Sequence, residues 1–166
     1  LELLSRPQLA RPDDLQQVVR SGKLRATQEF EVIKDADVIS ICVPTPLDKN
    51  KTPYTGFIEH VVEQSLPYLK EHQLMVLEST TYPGTTEEII KPRIEERGFK
   101  LGENFYLAYS PERIDPGNRQ FKIKNTPKIV GGVTPQCTEV AKALYEAIVE
   151  AEVFTVSSPR VAEMAK

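Results

Sequence analysis

Five short apolar runs, rich in β-branched residues, alternate along this chain with stretches whose apolar positions recur at helical spacing. No other feature of the sequence limits the fold as tightly. A strand buried on both faces meets no water, so it reads as a continuous apolar run and not as an alternating one. "DADVISICV" (35–43), "QLMVLES" (73–79), "NFYLAYS" (104–110), "PKIVGG" (127–132) and "EVFTVS" (152–157) have that character. A weaker run, "KLRAT" (23–27), reads as an edge strand.

Helices fill the intervals. "PDDLQQVVRSG" sets Leu15, Val18 and Val19 on one face, with Gly22 as its stop. "FIEHVVEQSLPYLK" gathers Ile58, Val61, Val62, Leu66 and Leu69, with a kink expected at Pro67. "TTEEIIKPRIEERG" has Thr85 and Glu88 at capping-box spacing and ends at Gly98. "TPQCTEVAKALYEAIV" has Thr134 as N-cap, Pro135 at the first helical position, and a core face of Val140, Ala141, Leu144, Tyr145 and Ile148. "PRVAEMAK" reads as the first turns of one more helix.

Such alternation predicts an α/β fold: a Rossmann-like, mostly parallel sheet with helices on both faces. Ligands of these sheets bind beyond the carboxyl ends of the strands. Three loops fall there: "PTPLDKNKTP", "STTYPGTT" and "SPERIDPGN". The first Gly-rich βαβ unit of a dinucleotide fold is lacking, because no G-x-G-x-x-G occurs. Gly131–Gly132 after a strand is a weak substitute and reads better as a tight turn.

With 166 residues and no repeat or linker, the chain reads as one domain. A net charge of −3 without a basic block argues against a nucleic-acid or anionic-membrane partner. No apolar run reaches the length of a membrane span, and "LELLSRPQLA" lacks the apolar core of a signal peptide. The chain does not begin with methionine, so its start reads as cut or processed. Cys42 sits in an apolar run and reads as core, and Cys137 in a first helical turn has no nearby catalytic partner in sequence. Two cysteines without a disulfide pattern fit a reducing cytoplasm. His60 and His72 lack ligand spacing, and no metal site is expected.

Taken together, "ADVISICVPTPLD", "LESTTYPGTTEEI", "YSPERIDPGN", "KIVGG" and "VAEMAK", in this order and spacing, resemble the nucleotide-sugar 6-dehydrogenase family. The likeness is greater to the UDP-N-acetylhexosamine (UDP-GlcNAc or UDP-ManNAc) branch than to the UDP-glucose branch. It implies a partial NAD-binding domain over residues 1–157, the start of a central linking helix over 158–166, and truncation at both ends. It further implies NAD as cofactor, a UDP-sugar as substrate and, in the full-length protein, a homodimer. The family oxidises a C6 alcohol to a uronate for polysaccharide biosynthesis with two NAD⁺, through a cysteine-bound thioester that water opens. The thiol motif for that step is absent from this sequence, so the chain alone is expected to be inactive. A non-catalytic remnant is the other class of reading.

The resemblance also assigns residues. Thr80 matches a threonine that helps to hold the catalytic water and borders the cofactor. Glu112 matches the glutamate that handles that water, and Lys166 the lysine that stabilises the oxyanion; both also border the substrate. Thr45, followed by Pro46, matches a position near the adenosine end of NAD, and reads equally as a rigid turn. Arg113 either faces an anionic ligand or pairs with Asp115. The UDP-glucose branch carries a second glutamate where this chain has Pro116, which argues against UDP-glucose as substrate.

Overall fold

A computed structural model describes residues 12–47, 49, 51–113 and 123–165. Its centre is one five-stranded sheet in the order β1 (Val38–Ile41), β2 (Leu74–Leu77), β3 (Tyr106–Tyr109), β4 (Lys128–Gly132), β5 (Val153–Thr155). The helices are α1 (Pro12–Arg20), α2 (Gly56–Ser65), α3 (Lys91–Glu96), α4 (Pro135–Glu146) and α5 (Pro159–Met164). A π-helical turn, Thr86–Ile90, runs directly into α3. Pro67 lies in a 3₁₀ turn, Leu66–Tyr68, that ends α2 at the expected bend.

Side chains on successive residues of a strand point to opposite faces, so β2 serves two cores at once. Met75 and Leu77 join Ile58, Val62, Ile90 and Ile94 on one side. Leu74 and Val76 join Ala141, Tyr145 and Val149 on the other. All four residues of β2 are buried, as a continuous apolar run predicts. The strand β1 differs from expectation. Ile39 and Ile41 are buried, but Val38 and Ser40 are exposed. It lies at the sheet's edge, where one face stays open. Two further expectations fail. Residues 23–27 form no strand, and Leu24 among them is exposed. Leu15, Val18 and Val19 share a helical face that is exposed, and Ile148, beyond the end of α4, is exposed too.

The sheet is not parallel throughout. The pairs β1–β2, β2–β3 and β4–β5 are parallel, whereas β3–β4 is antiparallel, with Tyr109 opposite Gly131. A parallel return needs a crossover along the sheet's length, usually a helix. The described part of the β3–β4 connection holds one short 3₁₀ turn, Ile123–Asn125. The chain therefore re-enters the sheet at the edge it has just left.

Gly131 and Gly132 are strand residues, neither a nucleotide-binding turn nor a tight one. A Cβ on Gly131 would lie 2.3 Å from the Ser158 carbonyl oxygen, and one on Gly132 would lie 2.3 Å from the Thr138 amide nitrogen. The pair is thus explained by close backbone approach to the starts of α4 and α5.

Candidate functional site

Parallel β1, β2 and β3 bring their following loops to one sheet edge. Ser79 joins the first two: its hydroxyl accepts the Val43 N–H at 2.8 Å and donates to the Ile41 carbonyl at 3.2 Å. The Tyr109 hydroxyl at the end of β3 donates to the Ser79 carbonyl at 3.3 Å. These bonds hold open a cleft of about 300 Å³ lined by Cys42, Val43, Thr45, Glu78, Thr80 and Glu112, among others. Three residues singled out from separate parts of the sequence, Thr45, Thr80 and Glu112, thus share one cleft. Pro46 is not among the residues that line it; its carbonyl accepts the Tyr54 N–H at 2.8 Å. Arg113 is exposed beside Glu112. Lys166, Asp115 and Pro116 lie outside the described residues.

Both cysteines resolve plainly. Cys42 is exposed, contrary to the core reading, because it continues the outward-facing register of Ser40 on an edge strand. Its sulfur lies 3.3 Å from the Ser40 hydroxyl. Cys137 is fully buried, with its sulfur accepting the Leu107 N–H at 3.4 Å and its own N–H donating to the Thr134 hydroxyl at 3.1 Å. It packs α4 against the sheet.

The structure adds a charged group that sequence reasoning missed. Lys128 opens β4, and its ammonium lies 3.1 Å from Glu78 Oε2, 3.7 Å from Glu112 Oε2 and 4.8 Å from the centre of the Tyr145 ring. The other Glu78 oxygen accepts hydroxyl donors from Ser40 and Tyr145, each at 2.9 Å. Glu78 sits between the strand and the threonines of "LESTTYPG", and Lys128 begins "KIVGG". A charge at the end of an apolar strand was the available signal.

Glu163 was missed as well. It is buried on α5, and its carboxylate accepts the Gly84 N–H, the Thr86 N–H at 2.9 Å and the Thr86 hydroxyl at 2.7 Å. The expected capping box is therefore not formed. Thr85 has helical dihedrals and no capping bond, while Glu88 pairs with Arg160 at 2.6 Å. An anion from another element takes the cap's place, which suits the partial positive charge of a helix start.

Burial, then the Glu78 carboxylate, pushes the Tyr145 hydroxyl well above the ordinary tyrosine range. Burial, then Glu163 and Glu78, does the same for Tyr109. In the unfolded chain both ionise near pH 10. The unfolded state then sheds protons that the folded state keeps, so stability falls as pH rises above about 10. We expect Tyr109 and Tyr145 to ionise only in step with the loss of far-UV circular dichroism. A complete tyrosinate titration with the dichroism intact would contradict the assignment.

With this geometry in hand, similarity to known proteins becomes informative. The NAD-binding domain of the UDP-glucose/GDP-mannose dehydrogenase family matches residues 8–149. The UDP-N-acetyl-D-glucosamine 6-dehydrogenase of Pseudomonas aeruginosa is 34% identical over 154 residues, which cover 92% of this chain and 36% of that protein. The NDP-N-acetyl-D-galactosaminuronic acid dehydrogenase of Ralstonia solanacearum is 38% identical, with 92% and 38% covered. The native structure of a UDP-N-acetyl-mannosamine dehydrogenase from Staphylococcus aureus superposes with a TM-score of 0.87 at 33% identity, covering 97% of this chain and 39% of that one. The chain thus spans a little over a third of the length of these relatives.

Proposed function

This chain belongs to the UDP-glucose/GDP-mannose dehydrogenase family, as part of its NAD-binding domain, and on that premise we propose that it forms the cofactor side of an NAD-dependent UDP-N-acetylhexosamine 6-dehydrogenase. The reaction converts the C6 alcohol of UDP-GlcNAc or UDP-ManNAc to a uronate for polysaccharide assembly. One observation carries this reading: the three family loops converge on a single cleft that holds Thr45, Thr80 and Glu112 together. The relatives with acetamido-sugar names add support, as does the acetamido-type loop "SPERIDPGN".

NAD is the family's cofactor, and the cleft's chemistry fits part of it. Among the described residues its lining offers the hydroxyls of Thr45, Ser79 and Thr80, the carboxylates Glu78 and Glu112, and no lysine or arginine. Hydroxyls and carboxylates suit a ribose and the base beyond it. The pyrophosphate calls for a Gly-rich turn at a helix N-terminus, which this sequence lacks. When bound, NAD supplies the hydride acceptor. Thr45, Pro46 and Thr80 wall the cofactor, with Thr80 also steadying the water. Glu112 acts on that water, and Arg113 and Lys166 face the substrate. Residues 1–157 are the cofactor part, and 158–166, including α5, begin a central helix through which the full-length enzyme dimerises. The cytoplasm is the compartment that two unpaired cysteines suit. Among the described residues no helix is long and apolar enough to cross a membrane.

Two measurements test the proposal. In a full-length dehydrogenase containing this chain, NADH should form with UDP-GlcNAc or UDP-ManNAc at a higher kcat/KM than with UDP-glucose. The opposite preference would overturn the substrate assignment, and no NADH with any of them would overturn the class. For the chain itself, calorimetry should find NAD⁺ affinity far weaker than micromolar. Low-micromolar binding would mean that other groups replace the missing turn.

A further inference from the structure

Lys128 owes its position to the antiparallel turn of the sheet. Continuing the Tyr109–Gly131 pairing by three residues in each direction sets 112 opposite 128. The lysine is thereby delivered to the edge where the parallel strands end, although it begins its own strand. Only 9% of its side chain is exposed, against 45% for Glu112. A small cavity of about 150 Å³, bounded by Glu78, Glu112, Lys128 and Tyr145 among others, lies next to the cofactor cleft, and Glu78 and Glu112 border both.

Exposed ion pairs contribute little because two flexible side chains must be fixed for one contact. Here one of the two is fixed already. The Lys128 ammonium is held by Glu78 and by the face of the Tyr145 ring. Glu78 is in turn tied to Ser40 and Tyr145. Contact with Lys128 therefore orders only the Glu112 side chain. We propose that Lys128 is a positioning residue for Glu112: its anchored ammonium sets the direction in which the Glu112 carboxylate faces the cofactor cleft. Among the described residues, Glu78, Tyr145 and Cys42 also line this space, and Arg113 adjoins Glu112 in the chain. Among them Lys128 supplies a cation held on the protein side of Glu112. The catalytic meaning of this contact rests on the reading of Glu112 given above; the contact itself does not.

The test uses this chain with ¹³C in its glutamate side chains. Loss of signal in Glu112→Gln identifies the Glu112 carboxyl and γ-methylene resonances. In the parent chain the carboxyl resonance should stand apart from that of an exposed glutamate, and the methylene should relax as an ordered group. Lys128→Met keeps the length and removes the charge. The carboxyl resonance should then shift from its parental position, and the methylene should become more mobile than in the parent on the nanosecond scale or faster. Lys128→Arg returns a cation and should restore both signals. Unmoved amide resonances in β4 and α4 would separate loss of the contact from loss of the fold. Should Lys128→Met fail to fold, with Glu78 left uncompensated, the Glu78→Gln/Lys128→Met pair removes both charges and poses the same question. Glu112 signals that ignore the removal of Lys128, or that Lys128→Arg does not restore, would overturn the proposal. Parental turnover by Glu112→Gln in a full-length enzyme would instead overturn the reading of Glu112 and leave the contact standing.

Discussion

In a full-length dehydrogenase containing this chain, Glu112→Gln should release an initial burst of NADH and then stall as covalent enzyme. The reasoning begins at the cleft. Glu112 follows β3 by three residues and lines the same space as Thr80. On the proposed reading, a thioester stands there after both hydride transfers. Opening it forms a bond from the water oxygen to the acyl carbon and breaks the carbon–sulfur bond. The sulfur leaves as thiolate, and in the proposed role Glu112 takes the water's proton. Glutamine keeps the size of glutamate and can still hold water, but it cannot take that proton. Loss of a general base costs roughly 10² to 10⁴ in rate. Both hydride transfers precede the affected step, so the burst should survive. If Glu112 were only a loop carboxylate, the variant would turn over near the parental rate. Rapid-quench kinetics with intact-mass detection separates the outcomes, because only a stalled hydrolysis leaves a sugar adduct on the protein.

Glu163→Ala should be among the most destabilising single changes in the chain, at about 3 kcal/mol. The carboxylate satisfies two backbone N–H groups and one hydroxyl at the start of the Thr86–Glu96 helical segment. Each buried donor left without an acceptor costs about 1–3 kcal/mol, less whatever water regains in the space vacated. Leu, which removes the acceptor while excluding water, should cost at least as much. Gln, which keeps one acceptor oxygen, should cost less. Chemical denaturation of the three variants would show this order. A midpoint for Glu163→Ala within error of the parent would mean that the helix start does not depend on α5. The bond also has a functional side. The same loop that carries Gly84 and Thr86 carries Thr80, so α5 and the cleft at the sheet edge are braced by one residue.

Much of this protein is legible along the chain. All five strands lie where the apolar runs do, because burial on a sheet demands continuous β-branched sequence at those positions. The bend at Pro67, the stops at Gly22 and Gly98 and the Thr134 cap also follow from local chemistry, and the last is confirmed by its bond to Cys137. Both glycines adopt positive φ, which few other residues tolerate. The capping box at Thr85 fails for an instructive reason. Its spacing is local, but the Thr85 and Glu88 N–H groups already donate to the Tyr82 and Gly84 carbonyls, while a carboxylate 77 residues away takes the neighbouring Thr86 N–H.

What the sequence determines alone is therefore the five sheet strands, their order and the loops that line the cleft, since these depend on side-chain periodicity and backbone preference over a few residues. The tertiary structure alone decides the direction of β4, the open outer face of β1 that exposes Cys42, and the meeting of Lys128 with Glu78 and Glu112. Those depend on which strand becomes a neighbour and in which sense it runs. Pairing partners lie tens of residues apart, and the energy that selects among them resides in the assembled sheet and not in any one segment.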